Sequence, residues 1–126
     1  MTMQNLARTA YSQPLAPSRS PRSLEYDLLA RASQCLRLGW EHRSSNFANL
    51  ARALQDNNAL WATLAADVAE QGNGLPAPLR ANLFYLYEFT QHHSRRVLSG
   101  DAGVDVLIDI NTSVMRGLRG EPGGCG

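Results

Sequence analysis

The chain has 126 residues, 44% of them hydrophobic and 18% charged, with a net charge of +1, which suits one hydrophobic core and is too short for two. A charge this balanced argues against DNA as a partner and makes direct RNA contact unfavoured, because phosphate-rich partners select a basic surplus. No apolar run approaches the roughly 18 residues of a membrane span, and residues 1–10 lack the continuous apolar core of a secretory signal. The expectation is a cytoplasmic chain with no membrane insertion.

In chain order, Met3, Leu6, Ala7 and Ala10 share one side of a short helix over Gln4 to Tyr11, too short to hold without docking. Pro14, Pro17 and Pro21 exclude a regular helix from Ser12 to Ser23, which reads equally as an extended arm or a disordered leader. The domain organisation expected is therefore this short helix and arm over 1–23, a helical domain over 24–119, and a flexible Gly-rich tail over 120–126.

The first main helix is predicted from about Ser23 to Leu38, capped by Ser20 or Ser23 and ended at Gly39. Leu28, Leu29, Ala32, Cys35 and Leu36 form its buried side, with Cys35 as a small hydrophobe and no bridge to Cys125. After a polar connection, Trp40 to Ser45, Phe47, Leu50, Ala51 and Leu54 open a second helical face. That face continues in phase through Trp61, Leu64, Ala65 and Val68. Asp56, Asn57 and Asn58 either break the helix or lie inside one long helix with Asn58 on the stripe, and the unbroken phase favours the long helix.

Gln71-Gly72-Asn73-Gly74 supplies the left-handed conformations that close a helix. Pro76 and Pro78 then fall in the first turn of the next helix, where N–H groups lack intrahelical partners anyway. Leu79, Leu83, Leu86 and Tyr87 repeat the apolar spacing, so a helical hairpin is predicted. Its core is expected to be Leu54, Trp61, Leu64, Val68, Leu79, Leu83 and Leu86, with Trp61 burying the most area.

That helix runs to Val97 and stops at Gly100, with Asp101 capping a last helix over Ala102 to Leu118. Val104, Leu107, Ile108, Met115 and Leu118 make one stripe with Asn111 inside it, and Val106, Ile110 and Val114 make a second row. A helix so widely apolar is buried on more than one side or keeps a face for a partner. Asn111 is then either a register pin in the core or a contact for a partner helix. The fold class is all-α: a small single-domain bundle of about four main helices, with the short N-terminal helix and Pro-rich arm.

The residues assemble no catalytic site. His92 and His93 are adjacent and diverge on a helix, so they do not pair on a metal. Asp101, Asp105 and Asp109 form a solvated row with no second acidic cluster to face it. The glycine pairs precede no Lys and make no phosphate loop. No enzyme activity, cofactor or metal is expected.

Three long segments carry more than physics: AYSQPLAPSRSPRSLEYDLLARASQCL, ALQDNNALWATLAADVAEQGNGLPAPLRANLFYLYEFTQHHS and VDVLIDINTSVMRGLRG. Together they resemble the FlaF family of flagellar biosynthesis regulators, over about Gln4 to Gly120. Trp40 and the GEPGGCG tail lie outside the pattern. The resemblance implies a protein that promotes flagellin synthesis or secretion, binding flagellin as an export chaperone and opposing the regulator FlbT, which acts on flagellin messenger RNA. A holder of flagellin's amphipathic termini needs an apolar groove. Leu107, Ile110, Val114 and Met115 are its expected wall, with Asn111 as a polar anchor. Two alternatives stand beside it: direct binding of flagellin messenger RNA through Arg19, Arg22, Arg31 and Arg37 or through Arg95 and Arg96, and a regulator that binds FlbT alone. Phosphate binding falls steeply with salt and groove burial does not, which separates the first alternative.

Overall fold

The apolar spacings become four helices in a computed structural model that describes residues 21–70 and 76–118. They are α1 (Pro21–Glu41), α2 (Phe47–Ala69), α3 (Ala77–Leu98) and α4 (Asp105–Leu118), and no strand occurs among the described residues. The all-α bundle is thus the fold. The short helix over Gln4 to Tyr11, the arm as far as Ser20, the turn at Gln71 to Gly74 and the Gly-rich tail lie outside the described residues.

Both ends of α1 differ from expectation. Pro21, read as part of the arm, opens the helix, because its fixed φ and missing N–H cost nothing in a first turn. Gly39, read as the stop, lies buried inside the helix, which runs on to Glu41. A Cβ at Gly39 would sit 2.9 Å from Leu50 Cα, so this glycine lets the backbones of α1 and α2 touch. Its value is in packing, not in ending a helix. Cys35 is exposed, against the expectation of a buried thiol. The interior face of α1 runs through Leu29, Ser33 and Leu36, and Cys35 stands about 100° round the helix from Leu36.

The chain turns at His42–Ser45 and re-enters a helix at Asn46, whose side-chain oxygen accepts from Asn49 N at 3.2 Å, a side-chain N-cap. From there α2 runs unbroken for 23 residues. The long-helix reading holds, and both asparagines turn inward: Asn57 is fully buried between Leu54 and Trp61 on the stripe, while Asn58 is half-buried and accepts from Ser94 Oγ on α3 at 3.0 Å. Pro76 caps α3 and Pro78 lies in its first turn. Ser99 ends it, followed by Gly100 at φ 86°, a conformation that glycine adopts without strain. Asp101 does not cap α4. The chain crosses from Asp101 to Val104 outside any helix, and the Val104 carbonyl accepts from the N–H groups of Leu107 and Ile108 at 3.0 and 3.1 Å. Asp105 then occupies the first turn of α4, where a carboxylate suits the positive end of the dipole.

α1 packs against α2 and α4, α2 also packs against α3, and α3 and α4 approach each other over only a short stretch. One apolar cluster, with Leu36, Leu50, Leu54, Val97, Val104 and Leu107 at its heart, joins all four helices, and Trp40 and Ile108 pack against it. Trp40 also lies over Gly103 and carries the Arg43 guanidinium 3.7 Å above its ring.

Candidate functional site

Two places on the bundle bear on what it can bind. The first is a buried polar hub. Trp61 and Asn111 have no exposed surface, and Trp61 Nε1 donates to Asn111 Oδ1 at 2.8 Å. An indole N–H can only donate, so the amide orientation of Asn111 follows from it. Both hydrogens of its Nδ2 are then used: one goes to Asn57 Oδ1 at 2.8 Å and the other to Ser33 Oγ at 3.2 Å. Ser33 passes its own proton to the Leu29 carbonyl at 2.9 Å. One side chain of α4 thereby fixes the mutual register of α1, α2 and α4 from the bundle centre.

Asn111 therefore corrects the expectation of a polar anchor for a partner: every bond it makes lies inside, and it is the register pin. Leu107, expected on a groove wall, is fully buried in the core cluster. Ile110, Val114 and Met115 are half-buried. Of the seven side chains assigned to the core, Leu54, Trp61 and Val68 are buried, Leu64, Leu83 and Leu86 are half-buried, and Leu79 is 44% exposed. Leu79 belongs to a surface.

That surface is the second place. Leu79, Leu83 and Leu86 on α3 face Val114 and Leu118 on α4 across an open groove of about 400 Å³, with Asn82 and Ser113 also on its walls. It exists because α3 and α4 meet closely over only a short stretch. On the outer side of α3, Phe84 and Tyr85 are exposed as well. Sequence reasoning missed α3 as a wall by assigning its whole stripe to the core. The signal was available: Leu79, Leu83, Phe84, Tyr85, Leu86 and Tyr87 spread round the helix, the same breadth that marks α4 as having a face to spare.

Among the described residues, the histidines take structural or exposed positions. His93 is buried, stacks on Phe89 with centroids 5.4 Å apart, and donates from Nε2 to the Gly103 carbonyl at 2.8 Å. It ties α3 to the connection before α4, while His92 is exposed. No group of three or more His, Cys, Asp or Glu among the described residues is placed to hold a metal ion. No described helix is long and apolar enough to cross a membrane. A second cleft lies between the end of α1 and the start of α2, where His42, Asn46, Asn49 and Arg52 mingle with Cys35 and Leu38 on its walls.

The geometry is a register fixed from within and an apolar trough about two helical turns long on one flank. No curated protein and no solved structure matches the chain. A family model described as Flagellar protein FlaF matches residues 7–118.

Proposed function

Because the chain belongs to the FlaF family of flagellar proteins, we propose that it promotes flagellin production and export by holding a flagellin helix in the α3–α4 groove. One observation carries this reading: the open apolar trough between Leu79, Leu83 and Leu86 on one side and Val114 and Leu118 on the other. An amphipathic helix laid along such a trough buries its apolar anchors at i, i+3, i+4 and i+7. Flagellin termini have that character, and covering them keeps them from pairing before export. The holder works in the cytoplasm, without catalysis, and opposes FlbT by sequestering or delivering the product whose message FlbT acts on.

The test is light-scattering chromatography of the chain mixed with its organism's flagellin monomer, at low and at high salt. A complex that persists in high salt is expected, since apolar burial is not screened. Leu83→Asp is expected to abolish it with the helical circular dichroism unchanged. Absence of any complex at micromolar concentration would remove the flagellin-holding role. A complex dispersed by salt would move the search to charged surfaces and to messenger RNA.

A further inference from the structure

None of the described residues on the walls of the α3–α4 groove is charged, but the edge of α4 beside it is. Asp109, Ser113 and Arg116 follow one another at i, i+4 and i+7, so they share one edge of the helix. Ser113 is on the groove wall, which places Asp109 one turn inward from it and Arg116 one turn toward the mouth. Asp105 continues the same edge a turn further in. All three charged side chains are exposed, and none has an ion-pair partner among the described residues. The facing edge of α3, with Asn82, Tyr85 and Phe89 at i, i+3 and i+7, is uncharged. The ends of the groove differ in shape as well. At the inner end His93 on α3 donates to the Gly103 carbonyl at 2.8 Å and stacks on Phe89, so the trough stops there. Arg95 and Arg96, in the last turn of α3, lie past that stop. The mouth opens between Leu79 and Leu118.

We propose that the groove accepts its partner helix in one direction, parallel to α4, with a basic side chain against Asp109 and an acidic one, seven residues later, against Arg116. The inference rests on the groove reading above and names the kind of helix that fits. Register agrees. Two helices running the same way advance equally per residue, so charges seven apart on the partner meet Asp109 and Arg116, which are themselves separated by roughly 10 Å along α4. The dipoles agree as well. A helix that reaches the closed end has a terminus there, and Asp105 and Asp109 favour its positive N-terminus with unpaired N–H groups over its negative C-terminus. Arg116 favours the opposite end, on the side of the mouth. Because His93 meets Gly103 at one end of the groove while Leu79 and Leu118 bound the other, α3 and α4 run antiparallel, and their own dipoles offset along it. The edge charges of α4 are left to decide. Exposed charges of this kind add little affinity beside apolar burial, and they act on encounter and orientation, since the wrong arrangement sets like charges together.

The probe is a synthetic amphipathic helical peptide with leucine anchors placed symmetrically about its centre, a Lys and a Glu seven residues apart in that order, and a nitroxide on its N-terminus. It is added to the isotope-labelled full chain, whose amide signals report which end of the groove the nitroxide approaches. Broadening is expected at Val106 and Ile110, on the closed side, with Gly117 and Leu118 at the mouth spared. In the double variant Asp109→Arg, Arg116→Asp, at two exposed positions, the pattern is expected to invert, because the same peptide then satisfies both charges only when turned round. A second peptide with Glu at both charged positions is expected to bind the unaltered chain about threefold to tenfold more weakly at low salt, the difference closing at high salt. Broadening shared by the two ends, or confined to the mouth, overturns the proposal. So does a double variant that keeps the original pattern. In each of these cases the peptide is bound and the groove reading survives. If the nitroxide broadens no groove signal, the groove is not a helix site, and both readings fall together.

Discussion

Where α1 passes into α2, Leu36, Leu50, Leu54, Val97, Val104 and Leu107 are closed off from solvent. At the other end Leu79, Leu83, Leu86, Val114 and Leu118, a set of the same chemical kind, line an open trough. Composition does not separate the two ends; the number of elements that converge there does. The closed end has four helices, the Gly39 contact that brings α1 and α2 backbones together, and Trp40 lying over Gly103. The open end leaves α3 and α4 with their apolar sides toward each other and little backbone contact between them. An apolar stripe thus becomes core or open groove according to whether a third element arrives to cover it.

The comparison breaks most severely at the hub on which both ends depend. Trp61→Ala removes the largest fully buried side chain and leaves Asn111 Oδ1 without its donor. A loss of about 3–5 kcal/mol is expected, measured by urea unfolding, and for a domain of this size it consumes much of the total stability. Asn111→Leu comes next. It keeps the branched shape with a somewhat larger side chain but strands Trp61 Nε1 and Asn57 Oδ1, each worth roughly 1–3 kcal/mol when left buried and unpaired. A summed loss of about 2–6 kcal/mol is expected, and a neutral result would show that the polar hub adds nothing to stability. Buried polar groups already stand near this limit, since Asn57 Nδ2 and Thr90 Oγ1 are buried with no hydrogen-bond partner.

The hub also marks how far the sequence could be read. Helical periodicity located all four helices, the continuity of α2 through Asp56 and the start of α3 at its prolines, because those depend on local spacing. Asn111 stood out as polar within an apolar seam, but its partners Ser33 and Asn57 are 78 and 54 residues away, and no local pattern announces them. Asn57 and Asn58 are chemically alike and both fit the spacing between Leu54 and Trp61, so periodicity alone could not tell which of them lies deepest. The groove was half legible. The surplus apolar face of α4 pointed to it, with Val114 on its wall. The part played by α3 depended on how closely two helices approach, which neither sequence states by itself.

Gly39→Ala sharpens the account of the closed end. In an ordinary helix interior this change is favourable by about 1 kcal/mol. Here the new methyl meets backbone atoms of α2 at 2.9 and 3.3 Å, and backbone in a packed helix cannot swing aside as a side-chain tip can. Overpacking of this kind costs about 1–3 kcal/mol, so the expected net sign is destabilising, by about 1–2 kcal/mol in thermal or urea unfolding. A stabilised variant would mean that α1 and α2 separate readily, and that Gly39 is not what closes this end.

The smallest effect on folding is expected at the open end, and its smallness is the point. Leu79 is 44% exposed on the groove rim, so Leu79→Ser withdraws only part of a side chain's area from the fold and should change stability by no more than about 1 kcal/mol. In the proposed complex with flagellin the same side chain would be covered, and its loss there is expected to weaken binding by about tenfold, equivalent to about 1.4 kcal/mol. The two measurements, unfolding and binding, must therefore diverge at this position, whereas at Trp61 the loss of binding can only follow the loss of fold. Should Leu79→Ser cost as much stability as a core truncation, the trough is closed in solution and the two ends of the bundle are alike. Should it change neither quantity, the rim stands outside the binding surface, and the contact lies deeper, at Leu83 and Val114.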